Sequence, residues 1–149
     1  LVLGSALLTG SPAMSADCPA FLNHEFTKLH SSQKLNLCAA FAGKPLLVVN
    51  TASHCGYTRQ FKGLEALHRK YRERGLVVNY GVTFTMLAPS SVTGAAANPV
   101  FKELARQSQQ PGWNFNKYLV TPDGTVAKYF ASSVEPDARE LEQAIETLL

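Results

Sequence analysis

The chain has 149 residues, 46% of them hydrophobic and 17% charged, which is enough for one domain with a sizeable core and excludes a disordered chain. Its 14 basic and 11 acidic residues leave a net charge of +3, spread along the sequence, so no nucleic-acid partner is indicated. Its 3 cysteines include no C-x-x-C pair, which excludes a zinc ribbon and a thioredoxin-type dithiol motif and implies one pair plus one free thiol.

Residues 1–16 read as the apolar part of a secretory signal, followed by small residues before Asp17 and lacking a Met start and a basic leader. The alternative is an apolar helix packed on the domain. The run falls short of the roughly twenty residues a membrane span needs, so no stable span is expected. Export would make the protein periplasmic or secreted, and in an oxidising compartment a Cys18–Cys38 disulfide could persist. Closing that loop of about twenty residues would contribute about 3 kcal/mol in the chain-entropy model. Two buried free thiols are the other reading of this pair.

From residue 17 to 149 the sequence predicts a single domain. Residues 24–29 and 34–37 alternate polar and apolar around His30-Ser31-Ser32-Gln33, the pattern of a hairpin. Leu46-Leu-Val-Val-Asn-Thr-Ala52, rich in β-branched residues, marks a central strand buried on both faces. Phe61, Leu64, Leu67 and Tyr71 then form one helical stripe, with Thr58 as N-cap and Gly75 as the left-handed stop. Leu76-Val77-Val78 begins a second buried strand. Asn98-Pro99 opens another helix, with asparagine as cap and proline at the first helical position. Residues 116–121 and 125–131 form a hairpin across Pro122-Asp123-Gly124, and Pro136-Asp137 start a last helix carrying Leu141, Ile145 and Leu148. This order, β-α-β, α, β-hairpin, α, predicts an α/β, thioredoxin-like fold with an added N-terminal β-hairpin.

Cys55 lies just after the central strand and just before the first long helix, where sites gather in open α/β sheets. Unpaired amides near a helix start favour thiolate over thiol, and the thiolate is the nucleophile. Gly56 lets backbone approach the sulfur, and Tyr57 and Thr58 complete the supporting loop. A small buried hydrophobe is the bland reading of this cysteine. His54 is a poor partner for Cys55, because adjacent side chains on an extended segment point apart. The remaining histidines lack metal-ligand spacing, so no metal is expected. Trp113 and Asn114 supply two N–H donors that could hold a thiolate if they face Cys55; otherwise Trp113 fills the core and Asn114 caps a turn.

Val49-Asn-Thr-Ala-Ser-His-Cys-Gly-Tyr-Thr58, with Gln60, Gly63-Leu-Glu-Ala-Leu67 and Tyr71, resembles the active-site stretch of the glutathione peroxidase family. Tyr80-Gly-Val-Thr-Phe84 with Met86, Val92 and Gly94, and Trp113-Asn-Phe115 before Lys117-Tyr-Leu-Val120 and Gly124, continue that resemblance in order. The resemblance implies an exported, cysteine-type thiol peroxidase acting on hydroperoxides. Cys55 would be its peroxidatic residue, with Trp113 and Asn114 as supporting donors. It implies no cofactor, only a thiol co-substrate, either glutathione or a thioredoxin-type protein. One feature departs from the family. Val78 runs directly into Asn79, where the family carries a loop and helix bearing the catalytic glutamine and, in many members, a resolving cysteine. So abrupt a join leaves little chain for a crossover, which points to a segment absent from this sequence rather than one the fold dispenses with. Loss of the glutamine would favour the alternative of a non-catalytic thioredoxin-fold module for redox sensing or binding.

Overall fold

The computed structural model describes residues 18–79 and 84–149; the signal-like segment at 1–16 lies outside them. The hairpin forms from β1 (Glu25–Thr27) and β2 (Lys34–Asn36), antiparallel with Phe26 opposite Leu35. A short helix not anticipated from the sequence, α1 (Leu37–Phe41), follows at once. The Asn36 side chain caps it by accepting from the Ala39 amide at 3.0 Å.

The main sheet contains β3 (Leu46–Val49), β4 (Val77–Asn79), β5 (Lys117–Val120) and β6 (Val126–Phe130), in the order β4-β3-β5-β6. β3 runs parallel to β4 and antiparallel to β5. Its four residues are all buried, as a strand covered on both faces requires. The two faces separate by alternation. Leu47, Val49, Val78, Leu119 and Phe130 meet α2 (Gln60–Tyr71) and α4 (Arg139–Leu148) through Leu64, Leu67, Tyr71, Leu141 and Ile145. Leu46, Val48, Tyr118 and Val120 face α3 (Pro99–Gln107) through Val100, Phe101 and Leu104, with Leu22 and Leu37 completing that side.

The α3 start matches expectation: Asn98 accepts from the Phe101 amide at 3.0 Å and Pro99 is the first helical residue. Gly75 ends the turn after α2 with φ 98°, a left-handed stop. Two helix starts differ from expectation. The Thr58 hydroxyl does not cap α2; it accepts from the Cys55 amide at 3.0 Å and donates to the Ala52 carbonyl at 3.2 Å. A turn closed from the Thr58 amide to the Cys55 carbonyl carries that side chain back toward the strand, away from the first helical amides. α4 begins at Arg139 rather than at Pro136, because a turn from Glu135 to Ala138 comes first.

Cys18 and Cys38 are disulfide-bonded, with Cα atoms 5.8 Å apart, which fastens the segment before β1 to α1. That segment packs on the β5–β6 turn so closely that a Cβ at Gly124 would lie 2.7 Å from Pro19 Cβ, and Gly124 has φ 88°. No helix among the described residues is long and apolar enough to cross a membrane.

Candidate active site

Cys55 sits in the turn between β3 and α2, partly exposed, its side chain packed against the edge of the α2–α4 face of the core. Thr58 shapes this turn through the two bonds described above, and Arg59 steadies it by donating to the Gly56 carbonyl at 2.7 Å. The thiol is acidified. The Tyr57 backbone amide contributes most, burial opposes it, and the Asn114 amide, the Trp113 indole and the Gly56 backbone each lower it further. His54 is exposed and is not among the groups acting on the sulfur.

The structure therefore brings Trp113 and Asn114 to the sulfur, although they lie almost sixty residues further along the chain. Trp113 does not fill the core; its side of the turn is open to solvent at 64% exposure. What holds these two residues was not read from the sequence. Asn50, at the end of the central strand, donates through Nδ2 to the Trp113 carbonyl at 2.7 Å and accepts at Oδ1 from the Asn116 amide at 3.1 Å. The Phe115 amide donates to the Asn50 carbonyl at 2.5 Å. The Asn116 amide group adds a second donor to the Trp113 carbonyl, and Tyr129 donates to Asn116 Oδ1. Phe115 is thereby held at φ 61°, a conformation uncommon for a bulky residue. Buried polar groups in this arrangement have partners, as stability demands. The available signal was an asparagine ending an apolar strand, a position where a polar residue needs partners from elsewhere in the fold.

A groove of about 500 Å³ runs beside the site, lined by Asn50, His54, Phe61, Met86, Val92 and Asn114 among others. No cluster of metal-ligating side chains occurs among the described residues. The Cys18–Cys38 bond lies against the α3 face of the sheet, away from Cys55. Chemically, the site offers one acidified, accessible sulfur surrounded by N–H donors.

The glutathione peroxidase family profile matches residues 22–79. The chain is 39% identical over 137 residues to the glutathione peroxidase-like peroxiredoxin gpx1 of Schizosaccharomyces pombe, covering 72% of this chain and 85% of that protein. It is 33% identical over 156 residues to a glutathione peroxidase of Lactococcus lactis, covering 85% and 98%. The apo crystal structure of Trgpx superposes with a TM-score of 0.71 at 30% identity, over 86% of this chain and 94% of that one. In the first alignment 137 positions take in 72% of 149 residues, about 107, so about 30 positions of the Schizosaccharomyces protein have no counterpart here. Identity at this level over most of both chains, joined to the thioredoxin-like architecture, establishes that the chain belongs to the glutathione peroxidase family, whose activity is thiol-dependent peroxide reduction.

Proposed function

We propose that Cys55 is the peroxidatic residue and that Trp113 and Asn114 are catalytic donors to it. The observation that carries this reading is the partly exposed Cys55 sulfur, acidified by the Tyr57 amide and by both side chains. The thiolate attacks the terminal oxygen of a hydroperoxide arriving along the adjoining groove. An S–O bond forms as the O–O bond breaks, sulfur gives up two electrons, and the leaving oxygen takes a proton to become water or an alcohol. Donors already fixed around the sulfur need no reorganisation as charge moves from sulfur to oxygen.

Among the residues of this sequence no cysteine is free to resolve Cys55, because Cys18 and Cys38 are bonded to each other, so these residues draw their reducing thiols from other molecules. A first thiol attacks the sulfenic sulfur and releases water; a second cleaves the mixed disulfide and restores Cys55. Glutathione and a thioredoxin-type protein both fit this requirement. The Cys18–Cys38 bond and the signal-like N-terminus support a periplasmic or secreted location.

The alternative of a redox-sensing or binding module draws support from the absent segment. The family match stops at Asn79, which follows directly on Val78, and about 30 positions of the Schizosaccharomyces protein have no counterpart here. Turnover separates the two readings. With glutathione or thioredoxin supplied, the chain is expected to consume many equivalents of peroxide, and Cys55→Ser none. Consumption that stops at one equivalent selects the sensor, and undiminished consumption by Cys55→Ser removes the mechanism.

A further inference from the structure

Lys117 is fully buried at the first position of β5, between Val49 of β3 and Phe130 of β6. A buried ammonium is costly, and methionine would fill a strand interior at less cost. The lysine spends its donors on two carbonyls: Nζ donates to Phe115 at 2.8 Å and to Val134 at 2.6 Å. The first is the carbonyl of the residue held at φ 61°. Asn50 and Asn116 already serve the neighbouring Trp113 carbonyl, so the Phe115 carbonyl depends on Lys117.

The second acceptor ties the turn to the segment from Ser132 to Glu135, which also holds the Cys55 side of the site. Gln60, at the start of α2, donates to the Ser132 carbonyl at 2.7 Å, and Asn116 donates to the Ser132 hydroxyl at 3.3 Å. Glu135 pairs with Arg59 at 2.8 Å, and Arg59 holds Gly56 beside the cysteine. Both halves of the site are thus referenced to one short segment, and the donor turn reaches it twice, through Asn116 to Ser132 and through Lys117 to Val134, with Lys117 the link that starts from the Phe115 carbonyl. Glu135 is also the charged group that acts on Lys117.

We propose that Lys117 is a positioning residue: by fastening the Phe115 peptide to the Val134 carbonyl, it keeps the Trp113 indole and Asn114 amide on the Cys55 sulfur. The proposal rests on the assignment of those two side chains as donors to that sulfur. Without the ammonium group, the left-handed Phe115 peptide loses the partner of its carbonyl and relaxes toward the β region, turning the preceding two residues away.

The test is the pH profile of Cys55 alkylation by iodoacetamide, which reads the thiolate directly. Asn114→Ala must move the profile to higher pH; if it does not, the donor assignment fails and the proposal with it. Given that shift, Lys117→Met is expected to move the profile in the same direction and to slow alkylation near neutrality about fivefold, the worth of roughly one hydrogen bond. Val120→Ala, in the same strand but on the α3 face, is expected to lower the melting temperature with the profile unmoved. A Lys117→Met profile superimposed on the wild type, beside a displaced Asn114→Ala profile, would overturn the positioning role alone. Should Lys117→Met not fold, Lys117→Gln decides by the same comparison, since its shorter amide cannot reach both carbonyls.

Discussion

Cys55 draws its acidity from amides rather than from a neighbouring base. The Tyr57 N–H acts most strongly, and the side chains of Asn114 and Trp113 add to it. On the proposed mechanism Asn114→Ala leaves the fold intact and lowers kcat/KM for peroxide about tenfold to a hundredfold, checked by steady-state kinetics at saturating thiol. Lys117 offers a second measurement at this scale, one of stability. Burial pushes its pKa down from 10.5 to about 8. Below pH 8 the folded and unfolded chains both carry the proton. Between about 8 and 10.5 only the unfolded chain does, so this residue makes stability rise with pH across that window. Denaturation of Lys117→Met over the same range is expected to lack that rising contribution.

Among the elements, α3 shows how local signals and tertiary bonds combine. Its Asn98-Pro99 start is a complete instruction in the sequence, and the cap forms as written. Asn98→Ala is expected to cost about 1 kcal/mol, read as a lowered urea midpoint with an unchanged slope. The other end depends on contacts made elsewhere: Gln107 donates to the Gly124 carbonyl at 2.9 Å and accepts from the Val126 amide at 2.7 Å, fastening the helix to the β5–β6 hairpin. Thr58 shows the opposite outcome. It has the right residue type and place for a helix cap, yet its hydroxyl is used within the cysteine turn. Residue type gives a hydroxyl a preference for such bonds, but which amide it reaches depends on how the preceding turn folds. The ion pairs that α4 makes with α2 and with the turn after it, Lys70–Glu142 and Arg74–Glu146, are solvent-exposed and add little beyond the apolar stripe between the helices.

At the scale of the molecule, the sheet separates the free cysteine from the disulfide. Cys55 packs on the α2–α4 side, whereas Cys18 and Cys38 pack on the α3 side. Breaking the disulfide is therefore expected to act on stability without touching the Cys55 sulfur. Cys18→Ser is expected to lower stability by about 3 kcal/mol on the chain-entropy account and to retain most peroxidase activity. Thermal melts with and without reductant, run beside peroxide-consumption assays, check both halves of that expectation. A parallel loss of activity and stability would show that the two faces are coupled.

The thioredoxin-like layering was legible in the sequence, because the burial of β3 on both faces and the stripes on α2, α3 and α4 are imposed by the geometry of single elements. So were the three residues at the candidate site, through the resemblance of the stretches that hold them. The network beneath them was not legible. Asn50, Asn116 and Lys117 are polar residues that become buried only when β3 and β5 pair, and their partners lie up to 66 residues away. Periodicity reports which side of an element faces the core. It carries no record of which distant carbonyl a buried amide or ammonium will find, and that pairing exists only in the assembled sheet.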